Sequence, residues 1–158
     1  MASNSGKVFE QDLKNSVPEW CWIYRFKDGT ANFSGKKNEN VRFQANNICD
    51  FMIMGHKQLF LLELKTHGGV SIPFDCIRKN QIEEMAKVNH EGIEAYFILN
   101  FRELEKTYAV KANVLKEYME RSERKSIPLL WCEQNSIEIP AEKKRTRYKY
   151  NLENLLGC

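Results

Sequence analysis

Near the start of the chain apolar residues recur at helical spacing. Phe9, Leu13 and Val17 make a stripe that predicts a helix from a cap at Ser3, Asn4 or Ser5 to about Val17, stopped by Pro18. Glu10 lies beside that stripe. The stretch "WCWIYRF", residues 20–26, then takes the aromatic and β-branched composition of a strand. From Asp28 to Asn47 the chain is polar and glycine- and asparagine-rich, as a long loop would be. An apolar hairpin follows, "ICDFMIMGHKQLFLLELK" over 48–65, turning at Gly55, His56 and Lys57. After a loop at "THGGVSIPF", Asp75 is placed to cap a helix from Cys76 to about His90, closed by Gly92. "IEAYFILNF" is a buried strand and "KTYAV" a shorter one. "KANVLKEYMERSERK" is a further amphipathic helix that turns Val114, Leu115, Tyr118 and Met119 inward, and "IPLLWC" is a last strand. This order predicts an α/β fold, a mixed central β-sheet flanked by helices.

Composition narrows the class. With 158 residues, 42% hydrophobic, 28% charged and four prolines, the chain is expected to form one globular domain over 1–158, its core at about 6–131 and a basic C-terminal segment at 141–158. No segment approaches the roughly 20 apolar residues that cross a bilayer, and "MASNSGKVFEQ" lacks a basic region followed by an apolar run. A cytoplasmic protein without membrane contact is expected. Cys21, Cys49, Cys76, Cys132 and Cys158 are odd in number and lack C-x-x-C spacing, so neither a disulfide framework nor a zinc site is indicated. His56 reads as a turn residue and His67 as a loop residue. A net charge of +3 permits a polyanionic partner. "EKKRTRYKY", residues 142–150, gathers Lys143, Lys144, Arg145 and Arg147 with two tyrosines; phosphate contact with stacking and a plain solvated tail are both open readings.

The hairpin carries the chemistry. Strands this apolar are normally buried, and Asp50, Glu63 and Lys65 are costly there unless paired or bound to a cation. Residues two apart on a strand share a face, so Glu63 and Lys65 point one way and Leu62 and Leu64 the other. If Met54 lies opposite Lys57, with Gly55-His56 as the turn, Asp50 falls opposite Leu61 and joins the face of Glu63 and Lys65. The two carboxylates then become diagonal neighbours roughly 7–8 Å apart at the backbone, a span that one cation can bridge. Oxygen donors of this kind suit Mg²⁺. A lysine beside them can hold or activate a water or offset charge on an attacked phosphate. E-x-K also occurs as an ordinary surface ion pair, although "LFLLELK" offers no wet face for one. On the next helix, Gln81 sits one turn from Ile77 and Met85, either a ligand-directed amide or a satisfied core glutamine. Glu10 is likewise a surface acid or a third carboxylate.

Asp50 in "CDF", Glu63 and Lys65 in "LELK", Glu10 in "GKVFEQDL" and Gln81 in "RKNQIEEM" together resemble the PD-(D/E)XK nuclease superfamily. The ordered series of a glycine with F-E, an aspartate-aromatic hairpin, E-x-K, "SIPF", a helix with N-Q-I, "GIEAYFILNF" and "TYAV" resembles the RecU family of Holliday junction resolvases, from about Gly6 to Leu115. That resemblance implies a restriction-endonuclease-like core and a homodimer that cuts opposed strands of a four-way DNA junction with Mg²⁺ or Mn²⁺, in the bacterial nucleoid or a phage-infected cell. It implies Asp50, Glu63 and Glu10 as metal ligands, Lys65 as the residue that positions water, and Gln81 in support. Arg25, Lys36, Lys37, Lys143, Lys144, Arg145 and Arg147 are the candidates for DNA contact. In that family a stalk enters the junction between early strands; the corresponding region here, 28–47, is polar and short. A restriction-like or repair endonuclease acting on duplex or flap DNA, and a non-catalytic DNA-binding module, are the alternatives.

Overall fold

A six-stranded sheet organises the chain, its neighbouring strands running in the order 22–25, 51–55, 58–67, 93–101, 106–111 and 137–138. The computed structural model describes residues 4–27, 47–88 and 90–157. Lys36, Lys37 and nearly all of the polar stretch 28–47 lie outside the described residues. The elements are α1 (Ser5–Ser16), β1 (Trp22–Arg25), β2 (Phe51–Gly55), β3 (Gln58–His67), β4 (Ser71–Pro73), α2 (Lys79–Ala86), β5 (Ile93–Phe101), β6 (Lys106–Lys111), α3 (Ala112–Arg121), β7 (Ser126–Pro128), α4 (Leu129–Asn135), β8 (Ile137–Glu138), β9 (Ala141–Lys144), β10 (Arg147–Tyr150) and α5 (Glu153–Leu156). β3 and β5 are parallel and joined by a crossover through α2, whereas the other pairs in this sheet are antiparallel. The expected α/β class with a mixed sheet between helices is the one observed.

Both faces of the sheet are covered, which is why β3 and β5 read as nearly continuous apolar runs. On one face Leu61, Ala95, Phe97 and Leu99 pack with Ile82 and Met85 of α2, Leu115 of α3 and Cys132 of α4. On the other, Phe60, Leu62, Leu64 and Ile98 pack with Phe9 and Leu13 of α1, Tyr150 of β10, and Leu155 and Leu156 of α5. A short polar ladder closes the second face. The Thr66 hydroxyl donates to Asn100 Oδ1 at 2.6 Å, and Asn100 Nδ2 donates to the Thr107 hydroxyl at 2.9 Å.

Several boundaries differ from expectation. The helix expected from Cys76 is a 3-10 turn at Phe74–Cys76 followed by α2 at Lys79–Ala86. "IPLLWC" divides at Pro128: β7 pairs with β4, and the remainder forms α4. Leu129 and Cys132, three apart, face the core while Leu130 is exposed, a helical pattern that a run this short hides. The basic C-terminal segment is an antiparallel hairpin, β9–β10, packed against α1.

Candidate active site

Leu61, Glu63 and Lys65 alternate along β3 on the face beneath α2, in register with Ala95, Phe97 and Leu99 of β5. Glu63 is 3% exposed. Its Oε1 accepts from Lys65 Nζ at 2.7 Å, and its Oε2 is buried with no hydrogen-bond partner among the described residues. A buried oxygen left in that state costs about 1–3 kcal/mol, more when it carries charge, unless a ligand reaches it.

Asp50 comes to the same place from the neighbouring strand. β2 pairs regularly up to Phe51 opposite Leu62, and the tight turn is His56-Lys57, both at positive φ (44° and 68°). Continuing that pairing by one step sets position 50 across from Glu63, where the sequence had suggested Leu61. Moving the turn by one residue shifts every partner by two, so the face is preserved. The Asp50 N–H donates to the Leu62 carbonyl at 3.0 Å, and its Oδ2 accepts from the Leu64 N–H at 2.8 Å, so the side chain takes over the end of the ladder around Glu63. Burial, and then the negative charge of Glu63, push the Asp50 carboxyl up to about 7; the Leu64 N–H and Lys65 oppose this and Glu10 adds to it. A buried acid raised beside a second carboxylate marks a place that a cation would stabilise. Cys49 beside them is buried, and burial with the same two acids pushes its thiol up to about 12, so it stays neutral.

Gln81 is 5% exposed on the inner side of α2. Its Nε2 donates to the Asn47 carbonyl at 3.4 Å, and its Oε1 is buried without a partner among the described residues. Glu10 is placed differently from the expectation. It belongs to α1, on the opposite face of the sheet, and its Oε2 accepts from Arg25 Nε at 3.0 Å and Arg25 Nη2 at 2.6 Å. The acid expected at the metal is thus held by the arginine expected at DNA, and among the described residues no three His, Cys, Asp or Glu side chains form a metal-holding group. The basic hairpin is similarly engaged: Lys143 pairs with Glu105, Lys144 with Glu142 and Arg147 with Asp12, while Arg145 occupies the β9–β10 turn at positive φ. Asp12 was not singled out from the sequence. It is 3% exposed and also accepts from the Tyr148 N–H at 3.2 Å. Its signal was an acid three residues after Phe9, on the buried side of α1.

The family model of RecU, Recombination protein U, matches residues 27–152. The chain belongs to the RecU family. The RecU match includes Asp50, Glu63, Lys65, Gln81 and the β9–β10 hairpin, and it begins after Glu10 and Arg25. A relative, the SPbeta prophage-derived uncharacterized protein YotM of Bacillus subtilis (strain 168), is 31% identical over 173 aligned positions that cover 99% of this chain and 87% of that one. Among solved structures, the chain resembles Hjc, a Holliday junction resolvase of Archaeoglobus fulgidus, with a TM-score of 0.53 and 13% identity over 84% of this chain and 93% of that one. At that identity the likeness shows the fold, a restriction-endonuclease-like core that this RecU-family chain shares.

Proposed function

We propose that this RecU-family protein is a metal-dependent, structure-selective DNA endonuclease that resolves four-way junctions as a homodimer, each subunit hydrolysing one phosphodiester. The observation that carries this reading is the buried Glu63 carboxylate, with one oxygen on Lys65 and the other without a partner among the described residues, beside an Asp50 carboxyl that burial and then the Glu63 charge push up to about 7. Family membership and the fold shared with an archaeal junction resolvase support it. A two-fold junction also suits a two-fold protein. Its place of action is then the DNA of the cytoplasm; no helix among the described residues is long and apolar enough to cross a membrane.

The donor set fits Mg²⁺ or Mn²⁺. The free Glu63 oxygen and the Asp50 carboxyl are hard oxygen donors, and Mg²⁺ is usually bound by one or two carboxylates with waters and phosphate oxygens completing its shell. When bound, such an ion lowers the pKa of a coordinated water and offsets charge on the attacked phosphate. Asp50 and Glu63 would hold the ion. Lys65, fixed by its 2.7 Å contact with Glu63, presents a cation to the attacking water or to a phosphate oxygen. Gln81 Oε1, buried without a partner among the described residues, would accept a hydrogen bond from that water or from a ligand of the site. Glu10 and Arg25 act at the margin, Glu10 through the field it adds at Asp50 and Arg25 as a phosphate contact if DNA draws it from Glu10.

The test is cleavage of a mobile four-way junction beside a linear duplex of the same sequence, with Mg²⁺ and with EDTA. Paired nicks in the junction that need the cation are expected. Equal rates on both DNAs would replace junction selectivity by a general nuclease, and no cleavage of either would leave a DNA-binding module.

A further inference from the structure

β1 is the outermost strand of the sheet, and one of its faces is aromatic. Trp22, Tyr24 and Phe26 follow at alternate positions, a spacing of about 6.6 Å along a strand. The Trp22 and Tyr24 rings are close to parallel, 6.1 Å apart at 17°, and Tyr24 meets Phe26 edge-on at 5.3 Å. Phe26 packs against the core, whereas Trp22 and Tyr24 are 54% and 45% exposed.

The row leads to the reacting groups. Trp22 pairs with Met54 and Tyr24 with Met52, which pair in turn with Leu59 and Leu61, so both rings share the face of Glu63 and Lys65. At its inner end the Phe26 N–H donates to the Asp50 carbonyl at 2.9 Å. The same face carries Lys65 of β3, while Arg25 alternates to the opposite face and pairs there with Glu10. Exposed flat rings on the face that carries Lys65 suit a polyanion with planar, unpaired faces.

We propose that Trp22 and Tyr24 form a base-stacking platform for unpaired nucleotides of the DNA strand whose phosphate lies at Asp50, Glu63 and Lys65. This rests on the nuclease reading above. The platform faces bases where a strand has left its duplex, as at a branch point, and offers nothing to the stacked interior of linear DNA.

The experiment is anisotropy of a fluorescein-labelled oligothymidylate in EDTA, across a salt series, for the wild type, Trp22→Ala/Tyr24→Ala and Trp22→Phe/Tyr24→Phe. The alanine pair is expected to weaken binding roughly tenfold or more and the phenylalanine pair by less than about threefold, with one salt slope for all three proteins. Both rings are exposed, and superimposable thermal melts check the fold. Unchanged affinity of the alanine pair, absence of wild-type binding, or an effect confined to the salt slope would overturn the platform. So would sedimentation showing that the alanine pair turns a dimer into a monomer. Because binding is read without the cation, a wild type that cuts junctions while the alanine pair binds normally removes the platform alone. Ring-dependent binding without cleavage in Mg²⁺ removes the nuclease reading alone.

Discussion

Asp50 ties protonation to the site. Its carboxyl is raised from an ordinary 3.8 to about 7, so between those values the folded chain holds a proton that the unfolded chain has released. Without a cation, this group lowers stability as pH rises through that window, and the cost levels off above it. Asp50→Asn is therefore expected to stabilise the cation-free protein at pH 8 by on the order of 2 kcal/mol in urea titrations, and to change little at pH 4. Mg²⁺ should raise the urea midpoint of the wild type at pH 8 and not that of Asp50→Asn. The same variant should lose cleavage while still retarding junction DNA. Lys65→Ala separates a different contribution: cleavage falls by about 10²-fold or more in single-turnover assays, while the Mg²⁺-dependent rise in midpoint persists. Wild-type rates from Lys65→Ala would remove the role given to its ammonium group.

At the scale of elements, the hairpin shows what sequence could and could not convey. The alternation of "LFLLELK" was enough to place Glu63 and Lys65 on one face, because a strand has a period of two and both of its faces here are covered. The turn lies one residue later than the pattern suggests, because Gly55 reads as a turn residue. It is instead a strand residue under Trp20, where an added Cβ would lie 2.7 Å from the Trp20 ring, and the left-handed turn conformations fall to His56 and Lys57. Lys57→Gly should accordingly stabilise the protein by about 0.5–1 kcal/mol, seen as a higher urea midpoint. Asp12 fastens the β9–β10 hairpin to α1 through Arg147 and the Tyr148 N–H. Asp12→Ala should cost about 2 kcal/mol and speed amide exchange first in residues 147–150. Such a bond spans 135 residues of sequence, which no local pattern can announce.

Across the whole molecule the sheet divides its work. One face bears Asp50, Glu63 and Lys65 under α2 and α3, with Gln81 reaching in from α2, and the other is sealed by α1, β10 and α5. The strands β1, β2, β3, β5 and β6, the helices α1 and α3 and the acidic pair were legible because burial imposes its own periodicity. Partners of the charged side chains were not: Glu10 with Arg25, and Arg147 with Asp12, are chosen by tertiary proximity. If the protein acts as a two-fold dimer, sedimentation at micromolar concentration should give about twice 18.6 kDa, and mixing it with Asp50→Asn should yield heterodimers that nick a junction on one side only.

The nine-rung parallel ladder between β3 and β5 has a consequence for synthesis. On the ribosome Glu63 is made more than thirty residues before Phe97, its neighbour in that ladder. Until β5 has cleared the exit tunnel, the acid stays in water, where a cation finds only a loose, hydrated carboxylate. If the proposed nuclease reading holds, a growing chain should lack the assembled site of Asp50, Glu63 and Lys65 until the crossover strand β5 is complete.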